Sequence, residues 1–533
     1  MSSPASVIVA DALAADELEP LVRAGVHVEN RAGISREELL QVIANFDGLL
    51  VRSRTQVDAE VIAAGTRLRV VGRAGTGVDN VDLAAATRAG IVVMNVPSGN
   101  TNAAAELTIA LMTALCRHVV PAAAALRAGC FEQKPFVGIE LQGRSLGVIG
   151  LGRIGRAVGR KAQGLGLTVV GYDPLLAPAA VEELGFRSAT LDALAAECDI
   201  ISVHVPLAEK TKHLVNAEFL ARCKRGVRIL NVARGGVVDE VALLVALESG
   251  QVAGAALDVF EKEPPTENAL VQHPRVLATP HLGASTQEAQ SAVARLIAHQ
   301  VARFLTQGVV ENAVNLWGMD ADEREMLQPW LLLARRLGAV AAALLDGRPD
   351  SMEVVRFGEG MRLRSEPVAA EALVGALTPW MGARLNAVNA RLLAVERGFT
   401  LAERVQPTHR SFPSMLRVVL RSEHDSVALD GTLFGRSLLR VVRAYGMNID
   451  AIPEGTMLFV RHADQPGMIG TIGTLLAQHS VNIANMSVGR SEDRAEALSV
   501  LNLDQEVPAA VLNVLSAHAA VRSCRAVAAS VTA

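Results

Sequence analysis

A glycine-rich turn is the first segment of this sequence with a clear chemical use. The hexad GLGRIG (150–155) directly follows the apolar run 146–149 and opens a stretch with helical spacing. Gly150 permits a tight turn, Gly152 lets the backbone approach a pyrophosphate, and Gly155 lets the helix pack closely on the strand. The free N–H groups at the start of that helix attract phosphate. The hexad therefore predicts a dinucleotide-binding strand–turn–helix unit.

Asp173 indicates which dinucleotide the turn would hold. It lies 18 positions after Gly155 and follows the predicted strand LTVVGY (167–172). A carboxylate at this place accepts hydrogen bonds from ribose hydroxyls and repels a 2′-phosphate, which favours NAD over NADP. The alternative is a glycine-rich turn beside a solvated aspartate.

Three further residues form a pattern suited to oxidation of a 2-hydroxy acid. Arg234, Glu263 and His281 each follow a predicted parallel strand, and α/β sheets bind ligands at those ends. A guanidinium grips a carboxylate with its planar fork. An imidazole takes the hydroxyl proton, and a neighbouring carboxylate fixes its tautomer. Each residue alone has a structural reading as a surface group, but their joint placement beside a dinucleotide turn favours catalysis.

A cluster of cations in the first hundred residues predicts a doubly anionic substrate. Arg52, Ser53 and Arg54 follow one predicted strand, and Arg73 lies at the end of the next. The segment 75–77 is Gly-Thr-Gly, whose backbone N–H groups can form an anion nest. These groups suit a carboxylate plus a phosphate. The alternative for Arg54 in particular is a salt bridge.

Composition excludes several classes of function. The chain has 533 residues, enough for about three to four domains. Its net charge of −4, without a long basic or acidic run, argues against nucleic acid or a membrane as partner. Seventeen aromatic residues (12 Phe, 3 Trp, 2 Tyr) disfavour a base-stacking surface. Five scattered cysteines without a CxxC pair predict neither a disulfide framework nor a metal site.

Targeting signals are likewise not predicted. No apolar run reaches the roughly 18 residues of a membrane span. The first residues, MSSPASVIVADAL, lack the positive region of a signal peptide. Together with the cysteine usage, these features predict a cytoplasmic protein.

The elements that must position these residues form two successive α/β sheets. Short Val/Ile/Leu runs alternate with helical stretches from Val7 to about 282, as in buried parallel sheets. An Ala-rich helix starts at Asn100–Thr101, and an amphipathic helix covers 285–308. Between 320 and 450 only 353–357 and 414–420 are predicted as strands, with a helical stretch 371–397 broken at Pro379. From Thr456 the order is β-α-β-β-α-β, which is ferredoxin-like.

Seven motifs together resemble the D-3-phosphoglycerate dehydrogenases, a branch of the D-isomer-specific 2-hydroxyacid dehydrogenases. They are VRSRT, GRAGTGVDNVD, NVPSGN, GLGRIG, NVARGGVVDE, ALDVFEKEPP and PHLGAST. The tail resembles the intervening and ACT domains of the long bacterial form. The resemblance implies a discontinuous substrate domain (1–97 and 283–315), an NAD domain (98–282), an α+β intervening domain (316–452) and an ACT domain (455–533).

The resemblance also implies roles for individual residues. His281 would be the acid/base, Glu263 its partner and Arg234 the carboxylate anchor in the oxidation of 3-phosphoglycerate to 3-phosphohydroxypyruvate, the first step of the phosphorylated serine pathway. The implied NAD-binding set is Gly150, Gly152, Arg153, Ile154, Gly155, Asp173, Pro206, Ala233, Asp258 and Gly283. The implied substrate-binding set is Arg52, Ser53, Arg73, Gly75, Asn100 and Lys134.

One departure from the family pattern concerns the phosphate. Members often carry Trp-x-Arg where this chain has Phe131-Glu132-Gln133-Lys134, and that arginine would reach the neighbouring subunit's substrate. Here Lys134 is the only nearby cation, and a point charge is a poorer phosphate fork than a guanidinium.

The ACT-like tail implies an amino-acid effector. Asp464, Asn482 and Asn485, near Pro466-Gly467, match the positions that bind serine between paired ACT domains. The alternative is a domain that only joins subunits. The family likeness also implies a homo-oligomer, either a dimer or a tetramer.

Two rival functions stay open at this point. The first is another D-2-hydroxyacid dehydrogenase, of the glycerate, lactate or glyoxylate type; the cluster 52–54 and the long tail argue against it. The second is an NAD-sensing corepressor, since such proteins also carry Arg, Glu and His at these places.

Overall fold

The computed structural model describes residues 4–317, 321–358, 365–382, 384–408 and 411–529. The predicted outer limits of the chain's domains, 1 and 533, and parts of the predicted 316–452 domain lie outside these ranges. Four sheets organise the described residues, and we refer to them with their helices as the first, second, third and fourth units. The predicted α/β class with two parallel sheets, an α+β unit and a ferredoxin-like unit is confirmed.

The first unit contains a five-stranded parallel sheet with the order β2-β1-β3-β4-β5. Its strands are β1 (Ser6–Val9), β2 (His27–Asn30), β3 (Gly48–Val51), β4 (Val70–Arg73) and β5 (Val92–Met94). Its helices are α1 (Glu19–Arg23), α2 (Arg36–Val42), α3 (Ala59–Ala64), α4 (Leu83–Ala89) and the later α13 (Gln287–Gln307).

Helix α13 returns to the first unit from beyond the second. Its buried face, including Val293, Ile297 and Val301, packs into the core that β1, β3 and β4 form on one side of the sheet. Gly72 on β4 makes this possible, since a Cβ there would lie 2.9 Å from side-chain carbons of both Ile297 and Val301. The predicted domain limits stay predictions, but the return of α13 supports a discontinuous first unit.

The second unit contains a seven-stranded parallel sheet with the order β12-β11-β10-β9-β6-β7-β8. Its strands are β6 (Ser145–Ile149), β7 (Thr168–Tyr172), β8 (Arg187–Ser188), β9 (Ile200–Val203), β10 (Val227–Asn231), β11 (Val252–Leu257) and β12 (Val276–Ala278). Its helices are α5 (Thr101–Cys116), α6 (Val119–Arg127), α7 (Arg153–Gly164), α8 (Pro178–Glu183), α9 (Leu191–Glu197), α10 (Ala217–Arg222), α11 (Glu240–Glu248) and α12 (Ala269–Gln272). The strand order reverses between β6 and β9, where α/β sheets bind nucleotides.

The third unit is a six-stranded mixed sheet with the order β14-β13-β15-β16-β17-β18. Its strands are β13 (Ser351–Phe357), β14 (Thr400–Gln406), β15 (Met415–Arg421), β16 (Ser426–Phe434), β17 (Leu438–Ala444) and β18 (Met447–Ala451). Its helices are α14 (Ala321–Leu344), α15 (Ser365–Met381) and α16 (Ala390–Glu396). Of these strands, the sequence predicted only β13 and β15.

The predicted break in the helical stretch 371–397 is present, but it follows Met381 and not Pro379, since α15 continues through Pro379 and α16 begins at Ala390. A proline this close to a helix end removes only one hydrogen bond of the last turn. The neighbouring helices α14 and α15 pack in very close contact. A Cβ at Gly338 would lie 2.2 Å from the carbonyl oxygen of Ala372, and one at Gly375 would lie 1.9 Å from that of Arg335.

The fourth unit confirms the predicted β-α-β-β-α-β order. It consists of β19 (Thr456–Ala463), α17 (Met468–Gln478), β20 (Ile483–Arg490), β21 (Glu496–Leu503), α18 (Ala509–Ala517) and β22 (Val521–Ala528). The antiparallel sheet has the order β20-β21-β19-β22. Strand β18 of the third unit lies against β20, where the Ser487 hydroxyl oxygen accepts a hydrogen bond from the Asp450 backbone N–H at 2.9 Å.

Within the described residues, no single helix has the length and apolar composition of a membrane span. The pair α5 and α6, bent by 64°, meets that criterion only when the two helices are taken together.

Candidate active site

The glycine turn has the geometry that its sequence predicts. Gly150 has a φ of +93°, and a Cβ there would lie 2.5 Å from the carbonyl oxygen of His204. A Cβ at Gly155 would lie 2.0 Å from the carbonyl oxygen of Gly150. Gly152 precedes α7 and has open space where a Cβ would stand. The turn is thus tight on its inner side and open where the start of α7 offers its N–H groups.

Asp173 lies at the end of β7, beside this turn. Its carboxylate accepts hydrogen bonds from the backbone N–H groups of Leu151 and Leu175, each at 2.9 Å. Each carboxylate oxygen has two lone-pair sites, so both retain capacity for ribose hydroxyls. The hydrogen bond from Leu151 also fixes the Asp173 side chain against the turn.

His281 and Glu263 form a hydrogen-bonded pair on the second unit. Nδ1 of His281 lies 2.7 Å from Oε2 of Glu263, and the other carboxylate oxygen accepts the Phe260 N–H at 3.1 Å. The backbone of His281 has a φ of +54°, a left-handed conformation that costs energy for this residue type. The pair leaves Nε2 free to face a reacting hydroxyl, since the carboxylate occupies Nδ1.

Asp258 holds the loop that carries His281. Its buried carboxylate accepts hydrogen bonds from the Thr279 hydroxyl at 2.6 Å and from the N–H groups of Leu282 and Gly283 at 2.7 and 2.9 Å. Burial raises the pKa of Asp258, although these hydrogen bonds oppose the shift. Asp258 and Gly283 were both predicted to bind NAD; here they bind each other and fix the loop. Thr279, in the TPH segment, was missed by the sequence analysis.

The Arg234 side chain extends from the second unit to the first, where it contacts Asp79 and Gly77. Its Nη1 donates to the carbonyl oxygen of Ala233 at 2.7 Å, and its Nε lies 3.4 Å from Oδ2 of Asp79. Its guanidinium covers Gly77, where a Cβ would lie 2.3 Å from Nη2. Asn231 supports the turn by donating to the Arg234 carbonyl oxygen at 2.9 Å. Sequence analysis missed both Asp79 and Asn231.

Arg73 is a half-buried cation of the predicted substrate set. Burial lowers its pKa, and the nearby Arg234 lowers it further, while Asp79 opposes the shift. Its Nε is buried and has no hydrogen-bond partner among the described residues. Gly75 lies against it, because a Cβ there would stand 1.6 Å from Nη1. A half-buried guanidinium with an unused donor is suited to an incoming anion.

The other cations of the cluster differ from Arg73. Arg54 forms a salt bridge with Asp11 at 3.0 Å, which is the structural alternative that the sequence left open. The Arg52 side chain has one long hydrogen bond, 3.5 Å from Nη1 to the Ala12 carbonyl oxygen, and Ser53 is exposed.

The last predicted residues of the cleft occupy separate places. Asn100 accepts a hydrogen bond from the Thr76 hydroxyl at 2.7 Å, which joins the start of α5 to the segment 75–77. Lys134 lies in an exposed 3₁₀ turn after α6. Pro206 follows β9 and accepts the Thr211 hydroxyl at 2.6 Å. Nearby His204, also missed, has its pKa lowered to about 4 by burial.

The predicted effector residues lie at opposite ends of the fourth unit's sheet. Asp464 follows the end of β19 and lies 3.3 Å from Nε of Arg490. Asn482 precedes the start of β20 and donates to Asp504 at 2.6 Å. Asn485, near it, lies 3.5 Å from the carbonyl oxygen of Asp450. The register of β19, β21 and β20 separates Asp464 from the two asparagines by the length of the sheet.

Comparison with known families matches three segments of the chain. Residues 109–283 match the D-isomer specific 2-hydroxyacid dehydrogenase, NAD binding domain. Residues 326–444 match the D-3-phosphoglycerate dehydrogenase intervening domain, and residues 456–520 match the ACT domain.

Similar proteins cover nearly the whole chain. The D-3-phosphoglycerate dehydrogenase of Archaeoglobus fulgidus is 39% identical over 498 residues, which are 93% of this chain and 94% of that protein. The enzymes of the same name from Bacillus subtilis and Mycobacterium tuberculosis (strain H37Rv) are 38% and 40% identical over 94% and 97% of this chain, and over 95% and 98% of their own lengths. The chain belongs to the D-3-phosphoglycerate dehydrogenase family.

Family membership confirms the predicted oxidoreductase class, the NAD cofactor and the ACT domain, which indicates binding of an amino-acid effector. Solved structures resemble the first two units of this D-3-phosphoglycerate dehydrogenase family member. A glyoxylate reductase from Paecilomyes thermophila is 32% identical with a TM-score of 0.54, covering 59% of this chain and 99% of that one. A D-lactate dehydrogenase from Treponema pallidum is 30% identical with a TM-score of 0.51, covering 58% and 99%.

Proposed function

We propose that this protein oxidises 3-phospho-D-glycerate to 3-phosphohydroxypyruvate with NAD, as the names of its relatives suggest. The observation that carries the proposal is the pair of guanidinium groups in the cleft, Arg73 and Arg234. Arg73 is half-buried and its buried Nε is an unused donor, and Asp79 is the acidic group closest to Arg234 among the described residues. A substrate with a carboxylate and a phosphate compensates two such cations, whereas lactate compensates only one.

The chain's own residues account for the proton transfer. Arg234 binds the substrate carboxylate and orients the C2 hydroxyl toward His281. Nε2 of His281 accepts the hydroxyl proton, and Glu263, hydrogen-bonded to Nδ1, stabilises the imidazolium that forms. Arg73 and Arg52 bind the phosphate end. In the reverse direction His281 returns the proton to the carbonyl oxygen.

The nucleotide turn fits NAD. Gly152 leaves open space for a pyrophosphate, the N–H groups at Arg153 and Ile154 start α7, and Asp173 is available for the ribose hydroxyls. Bound there, oxidised NAD would supply the acceptor for the hydride that leaves C2. The neighbouring Pro206, Ala233, Asp258 and Gly283 would surround its nicotinamide end.

We also propose that the protein works as a cytoplasmic homo-oligomer, a dimer or tetramer, regulated by L-serine. Helix α6 has no buried residue, and in the segment 128–137 that follows it Phe131 and Val137 are 81% and 78% exposed. These exposed apolar side chains suit a segment that is buried against a second copy, where Lys134 would lie near the neighbouring cleft. Because Asp464 and Asn482 lie at opposite ends of one sheet, a serine site would combine Asp464 of one copy with Asn482 of another.

NADH formation tests the proposed reaction. We expect turnover with 3-phosphoglycerate, much weaker turnover with D-glycerate and D-lactate, and loss of activity in His281→Ala. Turnover of only the unphosphorylated acids would instead indicate a D-2-hydroxyacid dehydrogenase of the glycerate, lactate or glyoxylate type. NAD binding without turnover of any of the three acids would favour the corepressor.

A further inference from the structure

A cavity of about 300 Å³ lies in the third unit, away from the cleft. Helices α15 and α16 both end beside it, and Leu377, Met381 and Phe399 line its apolar interior. Trp380, which is 38% exposed, forms part of the wall. This volume is at the lower end of the range for small-molecule pockets and accommodates one amino-acid side chain.

The rim of this cavity carries charges of both signs. Arg348 and Arg397 line it, and neither forms an ion pair with another described residue. Asp350 and Glu423 line the same rim, and Oε2 of Glu423 lies 3.7 Å from Nε2 of the exposed His424. A guanidinium pairs with a carboxylate, and a carboxylate accepts from an ammonium group. An apolar interior below such a rim is complementary to a zwitterion with an apolar side chain.

The loop between the two helices of the cavity binds the first unit. Nδ2 of Asn386 donates to the carbonyl oxygen of Gly90 at 2.7 Å, and Nη2 of Arg384 donates to that of Thr66 at 3.2 Å. Gly90 has a φ of +74°, and a Cβ there would lie 2.5 Å from Nδ2 of Asn386. Asn389 is 1% exposed, so this contact is a packed junction.

The junction is one strand away from the candidate active site. Gly90 directly precedes β5, and beyond the end of β5 the N–H of Val96 donates to the carbonyl oxygen of Gly75 at 2.9 Å. The Thr76 hydroxyl donates to Oδ1 of Asn100 at 2.7 Å and lies 3.2 Å from the Val96 carbonyl oxygen. A shift of the loop 384–389 would therefore reach the segment that flanks Arg73.

We propose that this cavity is an effector site for an apolar α-amino acid, and that the loop 384–389 transmits its occupancy to the substrate site. The ligand's carboxylate binds Arg348 and Arg397, its ammonium group binds Asp350 and Glu423, and its side chain enters between Leu377 and Phe399. The regulatory part rests on the proposed dehydrogenase function, whereas the binding part does not.

Binding of L-leucine and of L-phenylalanine to the full-length protein is measured by calorimetry and by tryptophan fluorescence. We expect saturable binding, a fluorescence change that disappears in Trp380→Phe, and affinity reduced roughly tenfold in Arg397→Gln and in Glu423→Gln. Arg436→Gln, which removes an exposed arginine from the β16–β17 turn, is the matched control. The proposal fails if neither amino acid binds by about 10 mM, a very weak affinity, or if Arg436→Gln weakens binding as much as Arg397→Gln.

Transmission is tested by hydrogen exchange of the segment 83–96. We expect L-leucine to slow exchange there in the wild type and to have a smaller effect in Asn386→Ala and in Glu396→Gln, which removes the exposed 2.7 Å contact with Arg88. Unchanged exchange despite leucine binding would overturn transmission. Leucine binding in a protein without turnover of 3-phosphoglycerate would overturn the proposed function and leave the effector site standing.

Discussion

The cleft between the first two units and the effector residues of the fourth unit differ in how completely one chain builds them. In the cleft, His281 and Glu263 are 2.7 Å apart and Arg234 already covers Gly77. In the fourth unit, Asp464 and Asn482 lie at opposite ends of a sheet and bind other residues, Arg490 and Asp504. The cleft is thus a preorganised site of one chain, whereas the proposed effector site would need a second copy. The predictions below test this difference, from the largest expected effect to the smallest.

The largest effect should come from the imidazole of the cleft. His281→Ala removes the proton acceptor, so we expect kcat to fall by about 10²–10⁴ while NAD binding is retained. Steady-state NADH formation and a separate NAD titration measure the two quantities. His213→Ala is the matched control, since His213 forms a similar pair with Glu261 at 2.9 Å and is not one of the predicted site residues. Equal losses in the two variants would contradict a special role for His281.

The glycine turn should respond to one added methyl group. In Gly155→Ala the new Cβ would stand 2.0 Å from a backbone oxygen, so the turn must open, and we expect NAD affinity to fall at least roughly tenfold. Gly164→Ala, at the other end of α7 with open space at its Cβ, should leave NAD binding unchanged and stabilise the helix by about 0.5–1 kcal/mol. Isothermal titration with NAD distinguishes them, and similar affinities would refute the tight turn.

The effector site should show complementation between copies. Asp464→Ala and Asn482→Ala should each abolish inhibition by serine without changing basal turnover. Each mixed interface should recover one of its two serine sites, because that site keeps both native groups. In a random one-to-one mixture half of the interfaces are mixed, so about a quarter of the sites should return. Equilibrium binding of labelled serine to the mixture measures the number of recovered serine sites. No recovery in a mixture shown to contain both variants would place the site within one chain.

The smallest effect concerns stability of the first unit and its dependence on pH. Burial alone would raise the pKa of Asp11, but hydrogen bonds from Thr55, Arg52 and Arg54 together lower it. A lowered pKa contributes stability above the ordinary value near 3.8, and that stability is lost as the pH falls through the folded-state pKa. Asp11→Asn should therefore cost about 1–3 kcal/mol at pH 7 and less below pH 4. Urea unfolding across this range measures it; a cost independent of pH would contradict the charge argument.

Local patterns allowed much of this molecule to be predicted from its sequence. The hexad 150–155 specifies its own turn, because Gly150 and Gly155 are each required by a close backbone contact, while Gly152 leaves the outer side of the turn open. The ferredoxin-like order after Thr456 follows from clear alternation of apolar runs and turns. In both cases the determining interactions are short in sequence or repeat with a regular period.

Other features depend on contacts that no local pattern encodes. In the third unit, β14 was missed because its partner β13 is distant in sequence. Strands β16, β17 and β18 pair with sequence neighbours and were missed all the same. Asp79 and Thr279 were missed because their roles arise only when Arg234 and Asp258 reach them. Residue type alone could not distinguish Arg54, which pairs with Asp11, from Arg73, whose Nε has no partner among the described residues.

The central claim is that the cleft oxidises a phosphorylated 2-hydroxy acid. Its most direct test is the ratio of kcat/KM for 3-phosphoglycerate to that for D-glycerate, measured in the wild type and in Arg73→Gln. The account predicts a high ratio in the wild type and a fall of roughly tenfold or more in the variant, because the phosphate loses a charge-assisted partner while the hydroxy-acid end is untouched. A wild-type ratio near one, or a ratio that Arg73→Gln leaves unchanged, would contradict it.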